Sequence, residues 1–140
     1  MIKHITPAEL HDWWEPVATD LDECRKHDKE EVWLEDIYCA IRTGSAFLYV
    51  ALLNGQYAGM MVITRHQDQW QPSRHWLHVW YLNTHGPVLE EGLAFLDDLA
   101  RQQGAAMVTF RADKLAWERW GKKLGFTLGE IELRREIDYG

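Results

Sequence analysis

The chain has 140 residues, of which 46% are hydrophobic: enough to bury most of the apolar surface in one core, and too few for two ordinary domains. A formal charge of −7 argues against nucleic acid as a partner, because binding to phosphate backbones rests on clustered Lys and Arg. No apolar run approaches the ~20 residues that cross a bilayer, so no membrane partner is expected.

Two cysteines, Cys24 and Cys39, lack metal-ligand spacing, and Met1-Ile2-Lys3-His4 opens no apolar signal region. We therefore expect a single domain over residues 1–140, in a reducing cytoplasm. Eight Trp are too many to leave in water, so they serve either an aromatic core or a contact surface.

After a short first strand, Thr6-Pro7-Ala8-Glu9 reads as a helix start, with Thr6 as cap, Pro7 at the first helical position and Glu9 closing a capping box. Leu10, Trp13, Trp14, Val17 and Leu21 follow at helical spacing, although Pro16 should kink or divide that helix. Residues 20–31 are charged and read as loop-like at their centre. Residues 30–43 carry Trp33, Leu34, Ile37, Ala40 and Ile41 at spacings of three and four, with Gly44 as C-terminal cap.

Residues 46–53 and 57–64 are two strands joined by Asn54-Gly55, the pair that a type I′ turn favours. A loop over residues 66–74 leads to an aromatic strand at residues 75–82. Pro87 then opens a helix with Leu89, Leu93, Leu96, Leu99 and Ala100 on its core face, ended by Gly104. Residues 105–110 read as a strand, 113–124 as a short helix before Gly125, and 126–137 as a last strand. The sum is an α/β (α+β) domain with a mixed central sheet of about six strands flanked by about four helices. Residues 75–110 should form a parallel strand-helix-strand crossover, where a strand end and a helix start lie together.

This order, with Leu99-Ala100-Arg101-Gln102-Gln103-Gly104-Ala105 before one strand and Lys123-Leu124-Gly125-Phe126 before another, resembles the GNAT superfamily of N-acyltransferases over nearly the whole chain. The resemblance implies acetyl-CoA as cofactor and an amine as acceptor. It implies that the pantetheine arm lies along the strand at residues 75–82, held by the main chain of Val79 and Tyr81. The pyrophosphate would rest near His85, Gly86 and Val88, where amides at a helix N-terminus attract anions. Amine acylation needs proton transfer, and His78 and Tyr81 on that strand are the catalytic candidates. As structural residues, His78 would be a satisfied sheet histidine and Tyr81 a core aromatic.

The chain departs from the superfamily pattern in two places. In His85-Gly86-Pro87-Val88-Leu89-Glu90, Val88 and Glu90 stand where small residues are usual. A carboxylate about 4 Å from a phosphate charge costs about 4 kcal/mol at an effective dielectric near 20. Counting back from Gly125-Phe126, the Tyr that usually protonates the leaving thiolate is replaced by Gly121.

Leu77-His78-Val79-Trp80, Val108-Thr109-Phe110-Arg111 and Ala116-Trp117-Glu118-Arg119 are also similar to small GNAT-like proteins encoded by tailed phages. That similarity implies a catalytically silent alternative, a virion-associated or assembly protein acting through phage or other protein partners or as a homo-oligomer. His75 and His78 are three apart in a strand and face opposite ways, so no metal site is expected.

Overall fold

The sheet of the first unit, Met1–Phe110, has the strand order β1-β2-β3-β4-β5 in a computed structural model that describes residues 1–26, 32–111, 117–129, 135 and 137–139. Strands β1 (Ile2–Ile5), β2 (Phe47–Leu53), β3 (Gln56–Gln67) and β4 (His75–Thr84) pair antiparallel in sequence. Strand β5 (Val108–Phe110) joins β4 in parallel, as the expected crossover requires. Helices α1 (Leu10–Arg25), α2 (Leu34–Thr43) and α3 (Leu89–Gln103) complete this unit.

Successive strand side chains point to opposite faces, and the apolar positions of β2 and β3 fill both. Leu48, Val50, Met60 and Val62 pack with Leu10, Val17, Leu21, Ile37 and Ile41 of α1 and α2. Tyr49, Met61 and Ile63 pack with Leu96 and Ala100 of α3. The sheet thus separates two apolar layers, each sealed by helices.

The β2–β3 turn is as expected: Asn54 and Gly55 have φ of 53° and 78°, the left-handed pair that matches strand twist in a type I′ turn. Gly44 and Gly104 cap α2 and α3 in the left-handed conformation, taking up carbonyls that the last turn leaves over.

Helix α1 corrects two expectations. It runs unbroken through Pro16 to Arg25, so Pro16 does not divide it and residues 20–25 are helical; residues 27–31 lie outside the described set. Burial of Leu10, Val17 and Leu21 on the sheet outweighs the donor that Pro16 lacks. The helix begins at Leu10, after a turn in which the Thr6 amide and hydroxyl both donate to Glu9 Oε1. Helix α2 begins at Leu34, later than expected, with Trp33 extended at its N-cap and 62% exposed.

In the second unit, Arg111–Gly140, a short π-helical turn spans Trp117–Gly121. The Phe126 amide closes on the Gly121 carbonyl, and Trp120 meets the Phe126 ring edge-on. Residues 126–129 are irregular rather than the start of a strand, and most of that expected strand lies outside the described residues. The described sheet accordingly has five strands rather than about six.

Candidate functional site

Strand β4 pairs with β5 only from Leu77 to Val79, through Val108, Thr109 and Phe110, and residues 80–84 run past the last paired residue. At the same point the β3–β4 register slips: Val62 faces Tyr81 while Ile63 faces Val79, so Trp80 is an extra residue in β4. Such a bulge bends a strand and re-aims the side chains beyond it. Leu77 and Val79 enter the α3 layer, whereas Tyr81, which simple alternation would send the same way, enters the α1–α2 layer.

Asn83, two residues further on, keeps the orientation of Tyr81 and reaches α1. Its amide donates to Asp20 Oδ1 at 3.3 Å. Pairing continues past the strand end, where the His85 amide donates to the Ala58 carbonyl at 2.7 Å. Gly59 permits this course. Its φ is 146°, and an added Cβ would lie 2.5 Å from the Asn83 carbonyl oxygen. Gly86 turns the chain at φ 77°, and Val88 then caps α3 with its side chain buried against Ala51 and Ala58.

These features converge on Asp20, the one charged residue buried among those described, at 4% exposed. Its carboxylate accepts from the Tyr57 hydroxyl at 2.6 Å and from Asn83, and it meets His85 Nε2 at 2.7 Å. Removing a carboxylate from water costs several kcal/mol, which these bonds offset. Burial, and then the hydrogen bond to Asp20, push the Tyr57 phenol well above its ordinary pKa of 10.0. Tyr57 therefore stays protonated and donates. The His85 side chain remains 58% exposed, at the rim of an open pocket of about 390 Å³ lined by Glu15, Pro16, Thr19, Asp20, Tyr57 and His85.

No protein-family model matches the chain, and no curated protein matches it. Solved structures do. An aminoglycoside acetyltransferase from an uncultured soil metagenomic sample, in complex with sisomicin, superposes at a TM-score of 0.71 with 11% identity, over 100% of this chain and 96% of its own. A ribosomal-protein-alanine N-acetyltransferase from Brucella melitensis biovar Abortus 2308 gives 0.71 at 12% identity, over 99% of each chain. The chain has the GNAT fold. A transcriptional regulator from Bacillus halodurans C-125 also shares the architecture, at 0.67 and 16% identity over 98% of this chain and 99% of its own. The GNAT fold alone therefore does not assign an activity.

On this GNAT scaffold the residues singled out from sequence fall into separate places. His78 lies in the stretch paired to β5, half-buried, with Nδ1 2.8 Å from Thr109 Oγ1 and its ring edge-on to His66. Tyr81 is 6% exposed inside the α1–α2 layer. Val79 and Tyr81 flank the bulge at Trp80, and His85, Gly86 and Val88 form the turn into α3. Gly121 is buried in the π-helical turn of the second unit.

Sequence reading missed Asp20, Tyr57 and Asn83. Asp20 lies 37, 63 and 65 residues from Tyr57, Asn83 and His85. Its one local signal is its position three residues after Val17 and one before Leu21, on the apolar stripe of an amphipathic helix.

Proposed function

We propose that the chain is an acyl-CoA-dependent N-acyltransferase that acylates an amine. The observation that carries this reading is the run of β4 past its last β5 partner, bulged at Trp80 and leading within a few residues into α3. A bulge and a strand end at a crossover present main-chain donors and acceptors to a ligand that a regular ladder would consume.

The main chain of Val79 and Tyr81 is suited to the pantetheine arm of acetyl-CoA. The turn of His85, Gly86 and Val88 is suited to the pyrophosphate, at the positive end of α3. Val88 does not crowd that turn, because its side chain is 1% exposed and packs inward. Two features weaken the phosphate end: the Val88 amide already donates to the Gly86 carbonyl at 3.0 Å, and Glu90 and Glu91 occupy the first turn. One of these carboxylates is compensated, since the Met1 ammonium lies 2.6 Å from Glu91 Oε1. The residues fit an acyl-CoA through main-chain contacts more than through charge.

When bound, the cofactor supplies an acyl group activated as a thioester. His78, oriented by Thr109, is the β4 side chain suited to move a proton. Tyr81 contributes its main chain here, its ring being core.

The test is thermal or urea unfolding with acetyl-CoA. At 100 times its dissociation constant a ligand selective for the folded state adds about 2.7 kcal/mol. A rise in melting temperature that saturates with acetyl-CoA is expected. No shift at millimolar concentration would remove this reading and favour the catalytically silent alternative, in which exposed residues such as Trp33 and Trp70 serve protein contacts.

A further inference from the structure

We propose that His85, held by Asp20, accepts the proton of a primary ammonium that binds in the pocket beside it, so that this pair prepares the acceptor amine. The proposal rests on the acyl-transfer reading for its use, and on the geometry of Asp20 for its residues.

A carboxylate that only tied α1 to the sheet would be served by Tyr57 and Asn83, both partly buried donors. Asp20 does more. Oδ1 also meets the Nε2 of an imidazole that is 58% exposed, at 2.7 Å. An exposed ring gains nothing from rescuing a buried charge, since water would satisfy it. The arrangement has instead the form in which a carboxylate fixes an imidazole tautomer: Nε2 donates to Asp20, and Nδ1 keeps a lone pair.

The neighbours fit a cation. Pro16 and the methyl-bearing Thr19 give the pocket its apolar wall, while Glu15 and Asp20 supply negative charge on the same stretch of α1. The Tyr57 phenol stays protonated, so it cannot take up a proton at neutral pH and leaves that role to His85. The step balances simply. The N–H bond of the ammonium breaks, its electron pair stays on nitrogen as the nucleophilic lone pair, and the proton forms a new bond to Nδ1. The imidazolium so formed is paired with Asp20 and returns the proton to water at its exposed edge.

The experiment combines imidazole ¹⁵N spectroscopy, ammonium titration and transfer assays on the full chain. At pH 8.5 the wild-type His85 ring is expected as the Nε2–H tautomer, and Asp20→Asn should remove that preference. n-Butylammonium should perturb the His85 ring and the Thr19 amide, whereas n-butanol should not. In acetyl transfer from acetyl-CoA to n-butylamine, His85→Gln should lose about 10²-fold or more while keeping the acetyl-CoA melting shift; His78→Gln should retain more activity.

An Nδ1–H tautomer in the wild type, equal response to butanol, or full transfer by His85→Gln each overturns the assignment. Should Asp20→Asn fail to fold, the wild-type tautomer and the ammonium titration decide it. Absence of an acetyl-CoA melting shift instead overturns acyl transfer, and the tautomer and ammonium results still stand or fall separately.

Discussion

Tyr57 is the residue through which the buried cluster is most readily probed. Its hydroxyl is 2.6 Å from Asp20 Oδ2, so Tyr57→Phe keeps the ring and strips a buried carboxylate of one donor. A group left unsatisfied in this way costs about 1–3 kcal/mol, read as a lower urea midpoint at unchanged slope. The phenol also has a pH signature. Its pKa is raised in the folded state above the ordinary 10.0, chiefly by burial. Stability is therefore full below about pH 10, where both states hold the proton. It falls as pH rises further, because the unfolded phenol ionises and the folded one resists. Tyr57→Phe should flatten part of that alkaline decline in a pH series of unfolding curves. Tyr49, also raised by burial, keeps the remainder.

Among the elements, α3 carries a removable cost. Gly92 lies in its first turns, lines a small apolar void of about 20 Å³, and a Cβ there would meet no atom within 4 Å. Glycine loses more backbone entropy on folding than alanine does. Gly92→Ala should accordingly stabilise the chain by about 0.5–1 kcal/mol, measured by chemical unfolding. Helix α1 argues the converse. Pro16 remains inside a 16-residue helix because its apolar face is buried on the sheet, and packing there outweighs a broken hydrogen-bond ladder. Local punctuation was thus legible where nothing tertiary opposed it, as at Asn54-Gly55, Gly44 and Gly104, and misleading at Pro16, where burial did.

At the scale of the molecule, the sheet of the first unit divides the core. Ile41 lies in the α1–α2 layer and Leu96 in the α3 layer, each at most 2% exposed and in a different cluster. Ile41→Ala and Leu96→Ala should each cost about 2–5 kcal/mol. With no shared partners their effects should sum within about 0.5 kcal/mol in the double variant. Urea unfolding of the four proteins checks this, and a larger departure would mean that the two layers communicate through β2 and β3.

The sequence by itself determined the elements and the fold class. Apolar residues recurring at a helical or strand period, with Gly and Pro between them, act over a few residues and do not depend on what lies opposite. The candidate site was legible only in part: β4 and the turn at His85 and Gly86 stand out through their position before a helix. Tertiary structure alone decided two things. The bulge at Trp80 turned Tyr81 and Asn83 toward α1, because a register slip is a property of paired strands and leaves no mark on either strand alone. Asp20 became a buried partner of Tyr57, Asn83 and His85, because a carboxylate that reads as surface charge in a helix acquires chemistry only when packing removes its water.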